Sequence, residues 1–285
     1  MRSTRQIQRR TYGRGLSVAL VLGLCLGVGS VLGPHFAKPW LAARHGLTLE
    51  QPPSAFSEER ILLDARSPEL SYRAASFGIQ PDSEIHRAIM AEQEAILAAY
   101  QTAAEQAFAN NTSELKQPWR VETFFTQTAK AGPLTSVLRS DYIHRGDNIH
   151  RLQFASSMFS ELKPEGFDLA DIFDLQPGIS DRLDELLCRL VSQEKNRRIG
   201  RAAINDEPLV CGDDPVVSFL EGPPTVFTPS TRENQFGGLT FYFEPGRIGS
   251  DREGEYIIHV PQTTFRAYLA EPYQNFFAGV PPHLE

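Results

Sequence analysis

Gly237 to Pro261 reads GGLTFYFEPGRIGSDREGEYIIHVP, and its alternation decides the fold class. Leu239, Phe241 and Phe243 alternate with Thr240, Tyr242 and Glu244, the period-two pattern of a strand with one face in a core. Tyr256, Ile258 and Val260 repeat the pattern against Ile257 and His259, and Pro261 closes the segment by removing a backbone donor. Between these strands, Pro245, Gly246, Gly249 and Gly254 punctuate a polar connection too long for a two-residue hairpin turn. Its charged residues Arg247, Asp251, Arg252 and Glu253 make a mixed-charge surface suited to recognition, because long connections tend to carry function.

Working outward, the same alternation marks short strands at Arg60 to Asp64, Leu70 to Ser76, Trp119 to Gln127, Thr135 to His144 and Ile149 to Ser156, with a further one at Val216 to Leu220. Asp82 or Ser83 caps a long helix to about Ala109, with Ile85, Ile89, Ile96, Tyr100, Ala104 and Phe108 on its apolar stripe. Ser180 or Asp181 caps a second, whose buried stripe is Leu183, Leu186, Leu187, Leu190 and Val191. Thr263 or Thr264 caps a last one. Consecutive strands with short joints predict antiparallel sheets with packed helices, an α+β class. The predicted division is 58–178 for an N-terminal α+β part and 179–285 for a C-terminal one.

The N-terminus fixes an address. Arg2, Arg5, Arg9, Arg10 and Arg14 precede an apolar run, Leu16 to Gly33, without a charged residue. By the positive-inside rule this predicts a basic cytoplasmic segment (1–15), a membrane anchor or signal-peptide core (16–33) and a linker rich in Pro and Ala (34–57). The expected location is the bacterial inner membrane with the domain on the periplasmic or extracytoplasmic side, or secreted if the leader is cleaved. Without the leader arginines, the chain from Lys38 onward holds 23 Lys and Arg against 35 Asp and Glu, a net charge of −12. That balance disfavours nucleic acid and suits a basic protein partner. Cys188 and Cys211 are the two cysteines outside the leader. In an oxidising compartment a disulfide is their simplest reading, contributing on the order of 3 kcal/mol in the chain-entropy model, and two buried thiols are the alternative.

Chemistry is sparse. No G-x-S-x-G, phosphate-binding G-x-x-x-x-G-K-[ST] or C-x-x-C is present, so the sequence implies no cofactor and no metal. His144, Asp147 and His150 have a spacing that a metal tolerates, although histidines flanking a turn are usually just solvated. Asp168, Asp171 and Asp174 recur every third residue, the pattern of caps on a short helix whose other face is Leu169, Ile172 and Phe173.

The order of elements, with the F-x-L-x-D-I-F segment at Phe167 to Phe173, L-T-F-Y-F at Leu239 to Phe243 and G-E-Y-I-I-H-V-P at Gly254 to Pro261, resembles the exported domain pair of the lysozyme-sensing anti-sigma factor RsiV and the peptidoglycan deacetylase PdaC. The resemblance covers roughly Arg60 to Phe277 and lacks the sigma-binding and deacetylase parts. It implies a binding or sensing domain of the cell envelope, tethered or secreted, whose partner is a lysozyme-like basic protein or a cell-wall glycan. The alternatives are a peptidoglycan-modifying hydrolase built on Asp168, Asp171 and His150, or a structural envelope subunit.

Overall fold

The computed structural model describes residues 59–110, 117–147, 149–163, 166–199 and 217–282. Two sheets form the frame. Strands β1 (Glu59–Arg66), β2 (Leu70–Phe77), β3 (Trp119–Ala131), β4 (Leu134–His144) and β5 (His150–Ser160) lie in that order in one sheet. A second sheet holds β6 (Thr225–Pro229), β7 (Phe236–Phe243) and β8 (Tyr256–Pro261), with β7 in the middle. The class is mixed α+β, with one correction to the antiparallel expectation: β2 and β3 run parallel. The joint between them is the long helix α1 (Glu84–Asn110), which at 1.5 Å per residue carries the chain back to the start of β2. The helix that the apolar stripe predicts is therefore also the crossover between two parallel strands.

Ser83, not Asp82, caps α1. Its Oγ accepts the His86 N–H at 3.0 Å, while Asp82 sits at φ 62°, in the left-handed region. From α1, Ile89 and Ala104 are buried against the sheet, where Leu70, Tyr72, Val121, Phe125, Val137 and Ile143 supply the facing core.

The second sheet is buried more completely. Every residue of β7 except Tyr242 is buried, because α2 (Ile179–Ile199) and the last turns of the chain lie beside it. Gly237 permits the approach of the last residues: a Cβ there would meet the Pro281 backbone nitrogen at 2.6 Å. Phe219, Phe227, Phe236, Phe241, Phe265 and Phe277 are each at most 1 % exposed. Burial of each contributes roughly 1.5–3 kcal/mol, which makes this aromatic cluster the main anchor of the C-terminal half.

Two sequence expectations fail here, and one strand was not expected at all. Val217 to Leu220 is a turn and not a strand, because Asp184 Oδ1 accepts the Phe219 N–H at 2.6 Å and drives its ring to 4.8 Å from Phe241. Thr225 to Pro229, inside a Pro/Gly-rich passage, is a strand. The expected last helix is three 3-10 turns, Gln262–Thr264, Arg266–Tyr268 and Glu271–Phe276. Tertiary hydrogen bonds take the backbone groups a helix would use: Asp174 N–H donates to Tyr268 O at 2.8 Å, and Ala270 N–H to Ile172 O at 2.9 Å.

The two sheets share one core, which runs from Ala129, Ala131 and Leu134 into the C-terminal aromatics. Across the seam Phe227 N–H donates to Ser136 Oγ (3.0 Å) and Thr225 N–H to Ser156 Oγ (2.9 Å). The arginine-led apolar run, the linker and Cys211 lie outside the described residues. Among the described residues no helix is long and apolar enough to cross a membrane.

Candidate binding site

The five-stranded sheet has one face under α1 and another only partly covered by the second sheet. Register sets what the uncovered part presents. One cross-strand row is Arg120, His144 and His150; the next is Glu122, Tyr142 and Leu152; the third is Phe124, Ser140 and Phe154. Phe77, Phe124 and Tyr142 form an aromatic line, with ring centroids 6.0 Å and 5.7 Å apart. All three are half-buried, and Arg120 and His150 are exposed. Burial raises the Tyr142 phenol above its ordinary value, and the charges of Glu255 and Glu122 add to it. Glu122, the cross-strand neighbour of Tyr142, thus sets a carboxylate beside the aromatic line, and Glu255 lies near enough to act on the phenol.

Of the residues singled out from sequence, His144 and His150 come together as a cross-strand pair with rings 5.1 Å apart. Burial lowers the His144 pKa and the neighbouring His150 lowers it further. Gly146 N–H donates to His144 Nδ1 at 3.3 Å, which favours the tautomer with the proton on Nε2. Asp147 does not join them. Burial works against its charge, but Arg151, at 2.7 and 3.1 Å, overrides this and holds the carboxyl below its usual range. Among the described residues no three His, Cys, Asp or Glu converge to hold a metal ion.

The loop residues divide into two kinds. Arg247, Asp251 and Arg252 are exposed. Glu253 is structural: its Oε1 accepts the Ser250 N–H at 2.8 Å, and its Oε2 accepts the Tyr256 hydroxyl. The loop is strapped to the end of α2, where Lys195 Nζ donates to Ile248 O at 2.9 Å. Arg198 donates to Glu253 O at 3.1 Å and Glu255 O at 2.6 Å, with its guanidinium 4.1 Å from the Tyr256 ring centroid. Glu255, at the end of that strap, is the acid beside Tyr142.

Asp168 and Asp171 close a capping box on the turn Leu169–Ile172, and Lys163 Nζ lies 2.5 Å from Asp171 Oδ1. This is the helix-cap role their spacing predicts. The hydrolase constellation is not assembled: His150 opens β5 and Asp168 follows its far end, so eleven residues at about 3.3 Å each separate them. Cys188 is half-buried on α2 beside the core, while Cys211 lies outside the described residues.

Sequence reasoning missed the aromatic line. Phe124 and Phe125 are adjacent and point to opposite faces, Phe125 into the core under α1 and Phe124 onto the half-open face. The usable signal was a strand with large apolar residues on both faces.

A groove of about 880 Å³ lies at the other end of the sheet, floored by Ser156 to Glu161 of the β5 edge. Beneath α1 sits a closed polar cluster. Asp141, 1 % exposed, accepts from Thr123 Oγ1 at 2.8 Å and lies 3.2 Å from Arg139 Nε. Arg139 reaches on to Glu92 at 2.5 Å. Burial pushes the Asp141 carboxyl up, and the Arg139 charge offsets this only in part.

Fold and site together define an α+β domain of two packed sheets with one sheet face half open. The fold is similar to that of a member of the DUF3298 family from Bacteroides fragilis, with a TM-score of 0.51 and 12% identity over 78% of this chain and 98% of that one. A DUF3298 family protein from Pseudomonas aeruginosa PAO1 aligns with a TM-score of 0.47 and 14% identity, over 78% and 94%. At these identities the likeness is one of fold. No family model and no curated protein matches the sequence.

Proposed function

We propose that this is a cell-envelope binding domain, held at or exported across a membrane by its arginine-led apolar N-terminus, that recognises a peptidoglycan fragment on the half-open sheet face. The observation that carries the reading is the line Phe77, Phe124 and Tyr142 flanked by Glu122 and by the row Arg120, His144 and His150. Sugar rings stack on aromatic faces, the carboxylate accepts sugar hydroxyls, and arginine matches the carboxylates of a stem peptide bidentately. The likeness in sequence pattern to the exported domains of RsiV and PdaC supports the same reading. Calorimetric titration of the protein with a disaccharide-tetrapeptide muropeptide tests it: saturable heat is expected, reduced at least tenfold by Tyr142→Ala with the unfolding temperature little changed. An unaltered isotherm in that variant removes the reading.

A second reading, a basic protein of the lysozyme kind, is favoured by the net charge of −12 from Lys38 onward. It requires an affinity for lysozyme that falls steeply as salt rises. The export reading carries a separate expectation, that Cys188 and Cys211 are bonded. Peptide mapping after alkylation without reductant would recover them in one linked fragment, and two separately alkylated peptides would contradict it.

A further inference from the structure

Hydrogen-bond parity fixes which groups β5 turns outward. The Glu161 N–H donates to Pro133 O at 3.1 Å, continuing the ladder that pairs Leu134 with Ser160 and His144 with His150. Odd-numbered residues of β5 therefore face β4, and even-numbered ones present N–H and C=O at the free edge. Phe154 obeys the rule: its outward N–H is taken by Glu244 Oε1 at 3.2 Å. Ser160 obeys it too, its carbonyl accepting the Lys163 N–H at 3.1 Å. Among the described residues the N–H and C=O of Met158, between them, have no partner.

That edge lies at the bottom of the 880 Å³ groove and not on an open flank. Ile85, at the start of α1, stands on one side, and Phe167, Leu169, Leu220 and Pro223 stand on the other. With walls on both faces of β5, the groove accommodates one extended chain, which adds at about 4.8 Å from β5. Glu84, Glu161 and Asp168 line the groove with Lys130 and Lys163; Lys163 is engaged by Asp171, Asp168 by the capping box, and Glu84 lies 3.9 Å from Arg87, which leaves Glu161 as the acid without an ion pair among the described residues. Edge groups that no strand of the sheet uses are a template for one more chain, and an added strand supplies their ladder partners.

We propose that the β5 groove takes an extended, lysine- or arginine-bearing peptide segment of a partner protein, which pairs with the Met158 backbone as a sixth strand. Its side chains alternate between the Ile85 wall and the Leu169 and Leu220 wall, and its cations meet Glu84 and Glu161. The site shares no residue with the aromatic platform, so either can fail alone.

The probe is a capped ten-residue peptide alternating valine and lysine, compared with the same peptide N-methylated at every second residue, titrated into the full-length protein. The expected result is saturable binding of the first and at least tenfold weaker binding of the second. Amide exchange at Ser156 and Met158 slows on binding. Met158→Pro removes an outward N–H that the sheet does not use and weakens binding at least tenfold. Glu161→Lys, which leaves the backbone alone, weakens it severalfold and lowers the salt dependence. Equal affinity for the two peptides, protection confined to other residues, or no binding of the unmethylated peptide into the millimolar range would each overturn the proposal.

Discussion

The two faces of the five-stranded sheet are made by the same strands and end in opposite states. Asp141 and Tyr142 are neighbours in β4, yet the first is sealed under α1 with its charge matched by Arg139, and the second stands half-buried beside its cross-strand neighbour Glu122. On the helix side Asp141, Thr123, Arg139 and Glu92 are spent on one another. On the other side Arg120 and His150 are exposed and Glu122 and Tyr142 half-buried, and the difference comes from what covers each face and not from residue type.

Exchanging an arginine on each face is the largest test of that contrast. Arg139→Met strands the buried Asp141 beside Glu92 and is expected to destabilise by about 3–5 kcal/mol in urea unfolding, more at high pH where Asp141 must stay charged. Arg120→Met, on the half-open face, is expected to change stability by less than about 0.5 kcal/mol. Equal losses from the two would abolish the distinction.

Glu244 belongs to the seam and sharpens the comparison at lower amplitude. Burial raises its carboxyl pKa, so the folded state holds that proton more tightly than the unfolded chain does. Its contribution is therefore present below the unfolded pKa and lost as pH rises through the folded one. Glu244→Gln keeps an acceptor for the Phe154 N–H, and a gain of a few tenths of a kcal/mol at neutral pH is expected after allowance for solvent screening. A loss of stability there would mean that the carboxylate charge is needed.

The smallest effect concerns His144. Its lowered pKa means that the unfolded chain takes up the proton first, so stability falls as pH drops from the ordinary histidine value through the folded one. His144→Gln should flatten that part of the pH–stability curve, readable by thermal unfolding between pH 7 and pH 5. An unchanged slope would place the titration elsewhere.

Much of the frame was legible because strand and helix periods are local. The first five strands and α1 lie where alternation and caps place them, α2 keeps its predicted stripe but starts at Ile179, ahead of the expected Ser180 or Asp181 cap, and Asp168 and Asp171 form the cap their spacing implies. What failed was set at a distance. The parallel partner of β2, the turn at Phe219 and the broken helix after Pro261 are each decided by contacts with residues far along the chain, such as Asp184 and Asp174. The candidate site was half legible. Histidines flanking a turn stand out in a sequence, whereas an aromatic line assembled from β2, β3 and β4 does not, since its members are remote until the sheet forms. Glu253 shows the converse: a charged loop residue that looked available is occupied by its own loop.

The parallel join of β2 to β3 also orders events in time. A chain emerging N-terminus first can close the β1–β2 hairpin at once, but β2 must wait for about forty more residues before its neighbour arrives. During that interval β2 is a naked apolar border, its Leu70, Tyr72 and Ala74 without cover. Until β3 and α1 arrive to shield it, that border is the part of a nascent chain most open to self-association.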